Sequence, residues 1–177
     1  MKNNLLLIIL LFSVSLSGKA QQSTITDSLA IKALGKLQWL EGNWSGEGWV
    51  DSRDARHFFN QTESIRTKVK GTVMLIEGLG IDKANAEIKH EAFAVVSYDI
   101  FARKYLMRAF KSDGKYVDAK INVEDDGTLV WGFKIDDAPE VRYTIKKVNE
   151  KWVEIGEFNL GAGKWTKFYE MTLNKQE

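Results

Sequence analysis

Residues 116 to 136, YVDAKINVEDDGTLVWGFKID, decide the fold of this chain. Apolar and polar residues alternate on both sides of the Asp126-Gly127 pair. A two-residue period indicates a half-buried strand, and an Asp-Gly pair between two such runs indicates a hairpin turn. The residues predicted to share the buried face are Val117, Ala119, Ile121, Val123, Leu129, Trp131, Phe133 and Ile135.

The same period continues from Gly42 to the end of the chain and predicts an all-β fold. The connections are too short for crossover helices, so the strands should form an antiparallel meander. Ten strands with one apolar face can hide their edges by closing into a calycin or lipocalin-like barrel with room for a ligand. A sandwich of two sheets is the structural alternative. The ten strands are predicted at residues 43–51, 55–68, 72–81, 88–99, 104–111, 116–124, 128–136, 140–148, 151–159 and 164–174.

The first 20 residues have the features of a secretory signal peptide. Lys2 provides a positive charge, residues 5–16 are apolar, and small residues precede a cleavage site after Ala20. The apolar stretch is about twelve residues long, whereas a membrane-spanning helix needs roughly 20. We therefore expect a periplasmic or secreted protein with no membrane span. Residues 21–41 should form a leader and a helix that starts at Asp27 or Ser28 and ends near Leu37, followed by a barrel domain at 42–177.

The composition narrows the chemistry. The chain contains no cysteine, which excludes disulfides, thiolate metal sites and a lipid-anchored cysteine. It has 25 basic and 24 acidic residues with no long run of one sign, so nucleic acid is not expected as a partner. Six tryptophans in 177 residues need a large apolar space. No cofactor is predicted, and the composition leaves the oligomeric state open.

Residues 37–48 have the form L-x-x-L-x-G-x-W-x-G-x-G between the helix and the first strand. This motif resembles the opening of lipocalin-like and nitrobindin-like barrels. The runs at 95–99 and 104–110, followed by Asp113-Gly114, also resemble the middle of the bacterial family called domain of unknown function 1579. Independently of any family, Trp44 is suited to close the barrel near the helix, while Gly42, Gly46 and Gly48 permit bending and close approach.

The resemblance to nitrobindin-like barrels implies haem held by a histidine near the C-terminus. The predicted last strand contains no histidine. A haem site would therefore have to use His57 or His90, the two histidines of the chain.

Several polar residues have apolar neighbours two positions away on both sides and are therefore predicted to face the interior. They are Glu77, His90, Arg108 and Glu154. An unpaired charge inside a barrel is unfavourable, so such groups should pair, hold water or await a polar ligand group. The aromatic residues predicted to line the ligand site are Trp131, Phe133, Trp152 and Trp165.

Three functions are compatible with these residues. The leading hypothesis is a binding protein for a small, largely apolar ligand, with Arg108 placed to meet a carboxylate. The second is a small hydrolase or isomerase in which His90 acts as base or acid and is oriented by Glu77 or Glu154. The third is haem binding. A barrel filled by its own side chains, acting as a scaffold, is a further alternative.

Overall fold

The computed structural model describes residues 24–135 and 137–177, and their side chains from Ser28 onward. The predicted signal peptide lies outside the described residues. One helix, α1 (Thr24–Gly35), and a 3-10 turn (Gln38–Leu40) precede the sheet. The strands are β1 (Gly42–Asp51), β2 (Arg56–Lys68), β3 (Val73–Asp82), β4 (Ile88–Asp99), β5 (Lys104–Lys111), β6 (Tyr116–Val123), β7 (Leu129–Phe133), β8 (Val141–Val148), β9 (Lys151–Asn159) and β10 (Trp165–Lys175).

The ten strands form a closed antiparallel barrel, as predicted. Each strand pairs with the next in sequence, and β1 pairs with β10 to complete the ring. Closure leaves no free sheet edge, which removes the main aggregation hazard of a long meander. The strand β7 is shorter than predicted and ends at Phe133, and α1 ends at Gly35, before Leu37. Within the described residues, no helix is long and apolar enough to cross a bilayer.

The helix and the 3-10 turn seal one end of the barrel. Leu34, Leu37 and Leu40 are buried there. The indole N–H of Trp44 donates to the Leu40 carbonyl at 2.7 Å, which fixes the turn to the first strand. Of the apolar residues of the helix, Leu29 and Ile31 are exposed, whereas Ala30 and Leu34 are buried.

Three tryptophans form the base of the interior. Trp39, Trp44 and Trp152 meet edge to face, with ring centroids 5.9 to 6.4 Å apart. Trp44 and Trp152 are almost fully buried, and such aromatic contacts add to the free energy of burial. The closing role predicted for Trp44 is therefore seen in the structure.

Glycines occupy interior positions on β1 and β3. A Cβ atom on Gly46 would lie 2.1 Å from the Thr172 carbonyl oxygen and 2.9 Å from Leu173 Cα, both backbone atoms of β10. The close approach expected at this glycine is thus needed where the barrel closes.

Candidate functional site in the barrel interior

Five of the eight predicted site residues face the interior. Trp152 belongs to the sealed base, whereas Trp131 stacks on Tyr143 higher in the barrel, with ring centroids 4.4 Å apart. Phe133 packs beside Trp131 at 6.1 Å. Glu154 is 6% exposed, and His90 lies on the inner face of β4, next to the interior side of Gly80.

The inward orientation predicted for Glu77 and Arg108 is wrong. The buried residues of β3 are Met74, Gly78 and Gly80, so Glu77 points outward. In β5 the buried residue is Met107, and Arg108 instead forms a bidentate ion pair with Asp118 at 2.6 and 2.7 Å on the outer surface. Both strands carry apolar side chains on each face, which is why alternation alone selected the wrong register.

Trp165 also lies outside the barrel, contrary to prediction. The pairing of β10 with β9 shifts between Lys167 and Tyr169, which marks a β-bulge. A bulge adds one residue to a strand, so the side chains beyond it point to the opposite face of the sheet from the one that strict alternation predicts. Trp165 therefore stacks under the outer guanidinium of Arg142, whose Cζ is 4.0 Å from the ring centroid.

Two buried carboxyl groups define the interior site. Glu63 on β2 and Glu154 on β9 are 8% and 6% exposed. None of the ion pairs formed by the described residues includes either group. Two acids without a cation in a largely apolar interior are costly unless they keep protons or receive donors from a ligand.

Glutamine and glycine hold Glu63 in place. The Gln61 amide N–H donates to Glu63 Oε1 at 2.7 Å. The Glu63 carboxylate lies on β3 where Gly78 leaves room, since a Cβ there would be 2.6 Å from Glu63 Oε1. Gly80 does the same for Gln61, whose Oε1 would be 2.7 Å away from an added Cβ. The glycines of β3 thus leave the space that the side chains of Gln61 and Glu63 occupy.

Burial controls the ionisation of this pair. Desolvation, reinforced by the charge of Glu154, raises the pKa of Glu63 from 4.5 to about 8, although the Gln61 hydrogen bond lowers it in part. Desolvation also raises the pKa of Glu154 to about 7, and the nearby indoles of Trp152 and Trp131 offset part of that effect. At neutral pH the pair therefore retains protons.

The polar atoms around the acids differ in how completely they are enclosed. Among the described residues, the side-chain polar atoms that are both sealed and without a hydrogen bond are Gln61 Oε1, Ser64 Oγ and Trp152 Nε1. The carboxylate oxygens of Glu154 and the hydroxyls of Tyr143 and Tyr169 are not in that sealed set. Since the structure gives the two hydroxyls no hydrogen-bond partner among the described residues, each touches space that a water molecule can occupy.

Aromatic rings form the wall above the acids. Tyr169 stacks with Phe59 at 5.7 Å and meets Tyr143 edge to face at 5.7 Å. Burial and the neighbouring Glu154 raise the pKa of both tyrosines, so their hydroxyls stay protonated. Phe168 stacks on Phe158 at 3.9 Å and extends this wall toward the open end.

His90 does not form the acid–base pair that was predicted. It makes no hydrogen bond or ion pair with any described residue, and Glu77 is on the other side of the wall. Burial, followed by the charge of Lys111, lowers its pKa. The hypothesis that Glu77 orients His90 for catalysis is therefore wrong.

A serine, a histidine and an aspartate meet at the open rim, but their arrangement is not that of a nucleophile with its base. His57 Nε2 is 3.2 Å from Ser52 Oγ, and its Nδ1 is 3.7 Å from Asp82 Oδ2. Lys89 Nζ lies closer to Nδ1, at 3.3 Å, and Ser52 donates its proton to the Ala55 carbonyl. Lysine offers only donors, so Nδ1 of His57 must accept a hydrogen bond from Lys89. A neutral His57 ring then carries its proton on Nε2, and this nitrogen cannot take a proton from Ser52.

The interior does not match a haem site of the nitrobindin kind. The inner face of β10 presents Tyr169, Met171 and Leu173 where a proximal histidine would be required. Within the part of the chain that the structure describes, no three side chains of metal-ligating type cluster together.

Sequence reasoning missed Glu63, Gln61, Tyr143 and Tyr169. A usable signal was present in β2, where Phe59, Gln61, Glu63 and Ile65 share one face and the outer residues between them are largely polar. Tyr143 and Tyr169 have similar periodicity, and the pairing of β8, β9 and β10 places both opposite Gly156, two residues from Glu154.

The closed meander with a helix across one end defines a lipocalin-like fold, and two solved structures share it. Rv2717c from M. tuberculosis aligns with a TM-score of 0.59 at 10% identity, over 84% of this chain and 98% of that chain. The S-type phycobiliprotein lyase CPES from Guillardia theta aligns with a TM-score of 0.57 at 12% identity, over 82% and 93%. At these identities the likeness concerns the fold alone.

No protein-family model and no curated protein matches the sequence. The resemblance to domain of unknown function 1579 therefore stays a prediction.

Proposed function

We propose that this protein binds a small, largely apolar molecule inside its barrel. The observation that carries the proposal is an interior sealed by tryptophans at one end, walled by aromatic rings, and bordered by polar groups without protein partners. Concave apolar sites with a few convergent polar groups are the usual form of small-molecule sites in proteins. The fold is shared with a phycobiliprotein lyase, and a shared barrel fold is compatible with ligand binding without identifying the ligand.

A neutral aromatic probe tests this proposal. We expect 2-(1-naphthyl)ethanol to quench the fluorescence of the inner tryptophans, Trp131 above all, in a saturable manner. Ala92 faces the interior on β4, so Ala92→Phe should fill the site and weaken binding by about tenfold or more. Val95→Phe, on the outer face of the same strand, and Arg108→Ala should leave the titration unchanged.

Two results would contradict the proposal. One is a folded wild-type protein that neither quenches nor gives heat with any naphthyl probe up to its solubility limit. The other is a set of titrations in which Val95→Phe weakens binding as much as Ala92→Phe does, because the probe would then lie on the outer surface.

We further propose that the chain is exported as a periplasmic or secreted protein. The support is the basic, apolar and small-residue order of residues 1–20. When the full chain is expressed in a bacterial host, the mature protein should be found outside the cytoplasm and begin at Gln21. An uncleaved chain retained in the cytoplasm would overturn this assignment.

A further inference from the structure

The polar groups of the interior include two acids without a cationic partner. Glu63 and Glu154 bring two carboxyl groups from different strands, and no basic residue of the described chain pairs with them. Gln61 is 1% exposed, and its Oε1 has no hydrogen-bond partner although its amide group contacts Glu63. The two acids therefore have no positively charged partner.

We propose that the interior site selects molecules that combine an apolar body with a protonated amine, and that Glu63 and Glu154 hold the ammonium group. This inference rests on the proposed ligand-binding function and names the chemical class of its ligand. An ammonium group has three N–H donors and a positive charge, which match the carboxyl oxygens of the two acids.

The aromatic wall strengthens the match. Trp131 and Tyr143 stack as a pair near Glu154, and Phe59 and Tyr169 stack as a second pair near Gly48. The face of an aromatic ring attracts a cation within about 6 Å, while the rings also cover an apolar body. The same walls would favour a hydrocarbon or aromatic framework attached to the amine.

An anionic ligand fits the deep site poorly. It would bring a negative charge beside Glu63 and Glu154 with no cation to balance it, and the hydroxyls of Tyr143 and Tyr169 are the neighbouring donors. Beside the acids, β1 contributes Gly46 and Gly48, and β3 contributes Gly78 and Gly80. Lys175 at the end of β10 lies over Trp44, with Nζ 5.4 Å from the ring centroid, and forms no ion pair with either acid. Lys111 on β5 and His90 on β4 lie nearer the open end, where Lys111 acts on the ionisation of His90.

Amine binding is coupled to protons. In the free protein the buried pair retains protons at neutral pH, and an entering ammonium favours the ionised carboxylates. One proton leaves to solvent while the amine keeps its own, so the ammonium charge balances one ionised carboxylate and the other acid keeps its proton. Affinity for the amine should therefore rise with pH up to the point at which the amine itself loses its proton.

Matched naphthyl probes test the inference. We compare 2-(1-naphthyl)ethylamine with 2-(1-naphthyl)ethanol by calorimetry near pH 7.5, in two buffers of different ionisation enthalpy. The amine should bind about tenfold or more tightly than the alcohol, and its apparent heat should depend on the buffer because protons are released. Glu63→Gln and Glu154→Gln should reduce the affinity for the amine and the proton release, while binding of the alcohol is retained.

Glu77→Gln is the control, since it removes an outward carboxylate from the wall next to the site. It should leave both affinities and the proton release unchanged. Equal binding of amine and alcohol, with no effect of Glu63→Gln or Glu154→Gln, would overturn the amine assignment and leave the proposed binding function intact. Failure of both probes to bind would instead remove the binding function itself.

Discussion

Glu63→Gln and Glu154→Gln are each expected to make the protein more stable than the wild type at about pH 9 and to flatten its stability profile above about pH 5. Both carboxyl groups have folded-state pKa values, about 8 and about 7, that lie above the unfolded value of 4.5. The folded state therefore binds protons more tightly than the unfolded state. Their contribution to stability is fully present below about pH 4.5 and is lost as pH rises through the folded pKa.

The size of this effect follows from the shifts. One pKa unit corresponds to about 1.4 kcal/mol, so the shift of Glu63 alone allows the free energy of unfolding to fall by on the order of 5 kcal/mol. Urea unfolding at several pH values between about 5 and about 9 measures it, because the aspartates with lowered pKa values titrate below that window. His90 acts in the opposite direction, since its lowered pKa removes stability as pH falls, and comparison of the variants with the wild type cancels its contribution.

The matched control is again Glu77→Gln, which should follow the wild-type profile. Parallel profiles for all four proteins would show that Glu63 and Glu154 ionise as they do in water, and the description of a buried, proton-retaining pair would fail.

Gly46→Ala is expected to destabilise the protein by about 3 kcal/mol or more, at the upper end of typical overpacking effects. The new methyl group would lie 2.1 Å from the Thr172 carbonyl oxygen and 2.9 Å from Leu173 Cα. Both are backbone atoms of the strand that closes the ring, so relief requires β1 and β10 to separate. Thermal or urea unfolding measures the loss.

Gly35→Ala provides the comparison for this substitution. No atom lies within 4 Å of the Cβ position of Gly35, at the end of α1, so the variant should match or slightly exceed wild-type stability. If Gly46→Ala unfolds at the same midpoint as Gly35→Ala, the seam between β1 and β10 is not packed as described.

The strand pattern was predictable because it is a local property. Nine of the ten strands have their observed ends within one residue of the predicted ones, since turn pairs such as Asp126-Gly127 interrupt a steady two-residue period. The exception is β7, which ends at Phe133, before its predicted end. A closed antiparallel barrel was the simplest way to bury the one apolar face that this period creates.

The facing of particular side chains was less predictable. Glu77 and Arg108 lie in strands with apolar residues on both sides of the sheet, because the outer surface there carries Phe93, Phe110 and Tyr116 in a row across three strands. The orientation of Trp165 was predicted wrongly because β10 contains a bulge near Lys167 that the residue pattern does not predict. A two-residue period predicts that successive side chains alternate between the two faces of the sheet. It does not predict which of two apolar faces lies inside the barrel.

By itself, the sequence determined the strands, their hairpin order, the antiparallel all-β class and the closing position of Trp44. Tertiary structure decided which face turned inward, where the bulge reversed β10, and that Glu63 and Glu154 share one interior without a cation. The physical reason is that hydrogen-bonded turns and side-chain alternation act between near neighbours, whereas ring closure brings together strands that are distant in the chain. The ionisation of the two acids, and with it the proposed ligand chemistry, exists only once that ring has closed around them.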